Sequence, residues 1–296
     1  MAQVEYVPVP RAVLWTAKQG DCPPLVLCHG GPGDWDYLGR VAGMIDDLAT
    51  VHRYDQRACG RSSGGPPHDV ATAIADLDAL RAHWEYPAWI VAGHSWGAHL
   101  ALYYALAHPQ RTRAVVYIAG AGLIAADPER WRAEYRARWP QLGSEEQHEL
   151  ARLDEQRRGA RGAAYAALDR AHTELAWSAD IVDRARARES IRSLFIDGIG
   201  MNHEVNRLLG EDLRRHMADP ALAERVATLA VPVLLVHGAA DPRPLWALRH
   251  LAERLPDARL DVLPEAGHLP WLDQPERFGS TLRRFLSPFA AHGGEA

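Results

Sequence analysis

The sequence predicts an α/β fold: a mostly parallel sheet flanked by helices, with a helical segment inserted between the sixth and seventh strands. Three observations carry this. Short apolar runs recur, each ending in a glycine-bearing or acidic loop, as expected for strands covered on both faces. Helical periodicity fills the gaps between them, and strand–helix alternation is the signature of a parallel sheet. One stretch of about a hundred residues breaks the alternation with helices alone.

Residues 4–9 and 13–16 alternate and read as strands turning near Pro10 and Arg11. Continuous apolar runs follow at 25–28, 51–54, 89–92, 115–119, 233–237 and 260–263. Between them, 71–84 sets Ile74, Leu77 and Leu80 on one side of a helix. Residues 98–107 are apolar nearly all round, the pattern of a helix buried against a sheet. Residues 245–255 and 275–286 complete the helical set. From about 127 to 226 no strand is visible, only arginine- and alanine-rich helical stretches carrying Trp131, Trp139 and Trp177. The division expected is a core of residues 1–124 and 227–296 with a helical cap of residues 125–226.

Composition narrows the function classes. Of 296 residues, 47% are hydrophobic and 24% charged, enough for a large core. The net charge of −5 is too small and too mixed to point to nucleic acid. Lys18 is the only lysine, far from every motif described below, so lysine chemistry is not expected. Cys22, Cys28 and Cys59 are odd in number and lack ligand spacing, which suggests free thiols and a cytoplasmic setting. No secretory leader and no membrane-length apolar run is visible, so no membrane partner is expected.

The chemistry concentrates in a few loops. Gly93-His94-Ser95-Trp96-Gly97 follows a predicted strand and precedes a predicted helix, the context in which a G-x-S-x-G turn exposes a nucleophilic serine. His29-Gly30-Gly31-Pro32-Gly33 follows another strand and can bring backbone N–H groups close to an oxyanion. Gly31 and Trp96 are the expected oxyanion donors. Asp241, after the 233–237 strand, and His268, after the last strand, complete the order Ser, Asp, His. Ser95 needs His268 to accept its proton, and His268 needs a carboxylate to set its tautomer. Asp127 is a weaker rival for that carboxylate. His94 is expected to be structural, and Asp55 and Arg57 to brace the loop beneath the oxyanion donors. No histidine has metal-ligand spacing, and the chemistry needs no cofactor.

These residues identify the chain as a member of the α/β-hydrolase superfamily. H-G-G-P-G at 29–33, D-Q-R-A-C-G-R-S at 55–62, G-H-S-W-G at 93–97 and L-A-L-Y-Y-A-L-A-H-P at 100–109 resemble the prolyl iminopeptidases, which are proline-specific aminopeptidases. The resemblance covers roughly the first 120 residues and resumes, more generically, from Val231. It implies an α/β-hydrolase fold with a cap, a triad of Ser95, Asp241 and His268, and oxyanion donors at Gly31 and Trp96. Ala58 stands where the family usually has glycine, and His94 where it commonly has a second glycine. In that family, cap glutamates bind the substrate's free amine, one of them in a stretch like I-E-N-H. The counterpart here, Ile199-Gly200-Met201-Asn202-His203-Glu204, has no glutamate before the asparagine, which leaves Glu204 as the candidate.

Trp35, Trp246 and Trp271 lie in loops expected at the carboxyl ends of strands and are candidates to line a substrate pocket with Glu204. The functional expectation is a serine hydrolase acting on a small molecule or short peptide, most simply an aminopeptidase or amidase. An esterase or lactonase of a small apolar substrate uses the same residues. A hydrolase fold kept as a non-catalytic ligand receptor is the alternative of another class.

Overall fold

Eight strands form one sheet in the order β1-β2-β4-β3-β5-β6-β7-β8 in the computed structural model, which describes residues 2–138 and 142–290. Trp139 lies outside the described residues. The strands are β1 (Gln3–Val9), β2 (Ala12–Gln19), β3 (Pro24–Cys28), β4 (Thr50–Tyr54), β5 (Trp89–His94), β6 (Thr112–Ile118), β7 (Val233–Gly238) and β8 (Ala258–Leu263). β2 runs antiparallel to β1 and β4, and every other pairing is parallel. β2 is longer than its alternating pattern suggests, because Ala17, Lys18 and Gln19 pair with β4 after the alternation has ended.

The apolar runs have a direct physical cause. Leu25 and Leu27 of β3 enter one core cluster, and Val26 and Cys28 enter the other. Val233 and Leu235 of β7 likewise face away from Leu234 and Val236. Both faces are covered, so both sets of side chains must be apolar.

Helices α1 (Gly39–Ala42), α2 (Val70–His83) and α3 (Trp96–Ala107) follow β3, β4 and β5. Asp69 caps α2 by accepting from the Thr72 N–H at 2.7 Å. Helix α3 is buried at every position from Trp96 to Ala105, in keeping with its all-round apolar sequence. Between β6 and β7 the chain forms α4 (Pro128–Arg138), α5 (Ser144–Gly159), α6 (Gly162–Ser178), α7 (Ala187–Arg192), α8 (His203–Ala218) and α9 (Leu222–Ala227). Helices α10 (Leu245–Arg254), α11 (Pro270–Asp273) and α12 (Pro275–Ala290) close the chain. Helices α2, α3 and α10 pack on one face of the sheet, with α1 and α12 on the other.

This winding positions the site. β3 lies between β4 and β5, so the connections from β3 to β4 and onward to β5 pass to opposite sides of it. Crevices at such reversals, outside the carboxyl ends of the strands, are where these sheets bind ligands. Here Cys28 pairs with Gly93, so the loops that follow β3 and β5 emerge side by side.

Candidate active site

Ser95 is the single residue between β5 and α3, with φ 56° and ψ −115°. A non-glycine residue held there costs about 1–3 kcal/mol, and such strain persists only where the surroundings impose it. They do so by close approach. A Cβ on Gly93 would overlap the Gly97 carbonyl, and one on Gly97 would overlap that of Cys28. The Ser95 N–H donates to the Ile118 carbonyl at 2.9 Å, tying the turn to β6.

His268 and Asp241 meet beside it. The His268 Nδ1–H donates to Asp241 Oδ2 at 2.8 Å, which leaves Nε2 as the acceptor nitrogen. Asp241 is fully buried and also accepts from the Arg243 backbone N–H at 2.8 Å. Burial by itself would raise the Asp241 carboxyl, but His268, Arg243 and His237 outweigh it and hold the group well below the usual carboxylate range. The Arg243 guanidinium reaches Asp241 at 3.4 Å and Asp180 at 2.9 Å. The Asp180 carbonyl in turn accepts from the His268 N–H at 3.0 Å. Arg243 and Asp180 therefore fix both the carboxylate and the backbone of the histidine. Neither was visible as a site residue in the sequence, although Arg243 follows Asp241 by only two positions.

The glycine-rich loop after β3 forms the facing wall. Gly31 has φ 47°, and among the described residues neither its N–H nor that of Trp96 has an acceptor within the chain. The Gly30 N–H donates to the Tyr37 hydroxyl at 2.8 Å. That hydroxyl donates to His94 Nδ1 at 2.7 Å, and His94 Nε2–H donates to the His268 carbonyl at 2.8 Å. Because a carbonyl only accepts, the whole chain of donors is fixed in direction. Burial holds the His94 ring neutral, well below the ordinary histidine range. Asp55 accepts from the Asp36 N–H at 2.6 Å and the Arg61 N–H at 2.7 Å. Arg57 pairs instead with Asp76 at 2.5 Å and reaches the Pro10 carbonyl at 2.8 Å. Gln56 links the two walls, donating to the His29 carbonyl at 2.9 Å and accepting from the Trp96 indole at 2.7 Å.

One pocket is lined by Ser95, His268, Gly31, Asp34, Trp177 and Arg243, among others. The residues expected to bind substrate lie elsewhere. Trp35 is buried, donates its indole N–H to the Leu194 carbonyl at 2.8 Å and lines a separate cavity with Phe195 and Met201. Trp271 packs edge-on against His94 at 4.7 Å, behind the site. Trp246 lies beneath Arg130 at 4.7 Å. Glu204 is exposed in the first turn of α8, outside the pocket. Position in a loop had suggested these four, but it does not set side-chain direction: two indoles fill gaps between packed layers, one lies under an arginine, and the carboxylate faces solvent. Asp127 caps α4, its Oδ1 accepting from the Arg130 N–H at 3.0 Å, and does not contact His268.

Among the described residues no group of three or more histidine, cysteine, aspartate or glutamate side chains is arranged to hold a metal ion. Among them also, no helix is long and apolar enough to cross a membrane.

Comparison with known proteins agrees with the fold. The α/β-hydrolase fold family matches residues 23–275. The chain is 30% identical to a pimeloyl-[acyl-carrier protein] methyl ester esterase of Chromobacterium violaceum, over 92% of this chain and 98% of that one. It is 27% identical to a proline iminopeptidase of Lactiplantibacillus plantarum, over 93% and 94% of the two chains. Among solved structures, the proline iminopeptidase of Mycobacterium smegmatis superposes with a TM-score of 0.67 at 20% identity, covering 98% of this chain and 99% of that one.

Proposed function

The chain belongs to the α/β-hydrolase family, and from that premise we propose that it cleaves a small amide or ester through an acyl-enzyme on Ser95, most simply as a prolyl iminopeptidase-like aminopeptidase. The observation that carries this is the pairing of His268 Nδ1 with buried Asp241 at 2.8 Å in a pocket shared with the strained Ser95. His268 Nε2 takes the Ser95 proton as the hydroxyl attacks the scissile carbonyl, and Asp241 stabilises the imidazolium that forms. The N–H groups of Gly31 and Trp96 receive the oxyanion. His268 then protonates the leaving group, and water cleaves the acyl-enzyme by the same steps in reverse order.

A second reading has its own support. The exposed Glu204 removes the cap acid expected to hold a substrate amine, and the esterase relative is as similar as the peptidase one. An esterase or lactonase of a small apolar acyl group would use the same machinery.

The test compares kcat/KM for a proline arylamide, its N-acylated twin and a short-chain nitrophenyl ester, with the Ser95→Ala protein as blank. Preference for the free amine, lost in Ser95→Ala, supports the aminopeptidase. Ester turnover with no use of the amine replaces it by the esterase. If Ser95 also resists a fluorophosphonate, the acyl-enzyme reading fails and a non-catalytic receptor takes its place.

A further inference from the structure

The loop that presents Gly31 also buries an acid. Asp34 is 3% exposed, and its N–H donates to the Gly31 carbonyl at 2.9 Å, closing the turn. Its carboxyl folds back over Gly31, where a Cβ would overlap it. Oδ1 is buried with no hydrogen-bond partner among the described residues, and the side chain lines the pocket of Ser95 and His268. The other two acids of this region, Asp180 and Asp241, share Arg243. Asp34 thus differs from both in lining the reaction space with a carboxyl that has no hydrogen bond or ion pair among the described residues, and Oδ2, folded over Gly31, is the oxygen that is not sealed off.

An unpaired buried carboxyl opposes folding, so structure alone gives no reason to keep it there. A ligand that brings its own donors removes the cost. The distance along the substrate follows from the loop. The acyl oxygen would sit at the Gly31 N–H, and Asp34 lies against the same residue, so it faces the atoms next to the carbonyl carbon. A cation at that point also neutralises the carboxylate beside a developing oxyanion, which an alkyl group does not.

We propose that Asp34 binds the α-ammonium group of the substrate, so that the pocket selects acyl groups derived from α-amino acids. This rests on the acyl-enzyme reading above. It assigns to the oxyanion loop, on the core side, the task that a cap acid such as Glu204 was expected to perform.

The experiment compares the wild type and Asp34→Asn on L-alanine and L-proline p-nitroanilides and on p-nitrophenyl butyrate, which lacks the amine. The readout is the ratio of kcat/KM for the anilides to that for the ester. Removing one partner of a buried, hydrogen-bonded charge pair predicts a fall in that ratio of at least ~30-fold. Asp34→Glu, which keeps a carboxyl able to ionise against the ammonium, should recover part of it. A ratio that holds within about threefold, estimated on the same scale, while both activities fall together makes Asp34 a support of the loop and overturns the proposal. A free-amine preference retained by Asp34→Asn overturns it too, but leaves the aminopeptidase reading intact. A wild type that turns over only the ester overturns both.

Protection of wild-type Ser95 from a fluorophosphonate gives an answer independent of how the variant folds. L-alaninamide should protect at a concentration at least ~10-fold below that of propanamide. Equal protection by the two amides would count against the ammonium site.

Discussion

His94 Nε2 donates to the main-chain carbonyl of His268 at 2.8 Å, so the residue beside the candidate nucleophile holds the backbone of the candidate base. On its other side the same ring accepts from Tyr37, which receives the Gly30 N–H. One buried chain of three hydrogen bonds therefore ties the glycine-rich loop, the serine turn and the histidine loop together. Where relatives commonly carry glycine next to the serine, this chain has an imidazole acting as a strut.

Replacing Tyr37 by phenylalanine keeps the ring that stacks on Trp271 and deletes only the hydroxyl. The Gly30 N–H and His94 Nδ1 then lose their partners in a buried setting, a cost of about 1–3 kcal/mol. The urea midpoint should fall accordingly, and kcat should fall more than KM rises, because the bond serves positioning rather than substrate contact. A variant with wild-type kcat and midpoint would show that the chain does not transmit position.

Asp34 gives a stability prediction of a different sign. Burial raises its carboxyl well above the usual carboxylate range. The unfolded chain ionises near pH 4, whereas the folded one keeps the proton to higher pH. The native state is therefore favoured most at low pH and loses that advantage as pH rises from about 4 through the folded value. Asparagine does not titrate, so Asp34→Asn should gain stability over the wild type, and the gain should grow with pH across that window. Asp180, Arg243, Tyr37 and His268 also line this pocket, and the variant keeps them all, so the difference isolates Asp34. Urea denaturation from pH 4 to 8 measures it. A gain independent of pH would mean that the carboxyl is not held protonated.

Much of this candidate site is legible in the sequence, and the reason is locality. Ser95 and Gly31 are fixed by turns whose chemistry lies within five residues, and Asp241 and His268 follow strands that announce themselves as apolar runs. The residues that escaped are defined by long-range contacts. Tyr37 matters because it meets His94, 57 positions away in sequence. Asp180 sits in the helical insertion and matters only because Arg243 folds back onto it. Trp35 and Trp271 went astray for the same reason: an indole near a strand end can face the pocket or the packing behind it, and sequence periodicity in a loop does not decide which.

Ala58 is one departure from the family pattern that the backbone explains. It has φ 58°, a conformation that costs an L-residue roughly 1–2 kcal/mol and glycine very little. Its N–H donates to the Ser63 carbonyl at 3.2 Å and its carbonyl accepts from Asn202 at 2.9 Å, and glycine preserves both bonds. Some of the relief is lost to the greater freedom of glycine in the unfolded chain. Ala58→Gly should therefore stabilise the protein by about 0.5–1 kcal/mol in urea titration. A loss of stability would show that packing of the Ala58 methyl outweighs the strain.

Helix α8 connects the insertion to the glycine-rich loop after β3 through two asparagines. The Asn202 N–H donates to the Gly33 carbonyl at 2.8 Å, and Asn206 Nδ2 donates to that of Pro32 at 2.7 Å. Asn202 also caps α8, accepting from the N–H groups of Glu204 at 3.1 Å and Val205 at 3.2 Å. The two roles separate by substitution. Asn202→Ala removes a helix cap as well as the bond to Ala58, so its main effect should be a stability loss of about 1–2 kcal/mol. Limited proteolysis should then cut more readily within residues 127–226. Asn206→Ala removes a single partly buried bond to the loop, at a cost of about 1 kcal/mol or less. Its effect should appear in catalysis: Pro32 and Gly33 sit one and two residues from Gly31, so a looser loop misplaces the proposed oxyanion donor and lowers kcat several-fold. Unchanged kcat in Asn206→Ala would show that Tyr37 and Asp55 hold the loop without help from α8, and would leave the helical insertion with no part in shaping the proposed oxyanion site.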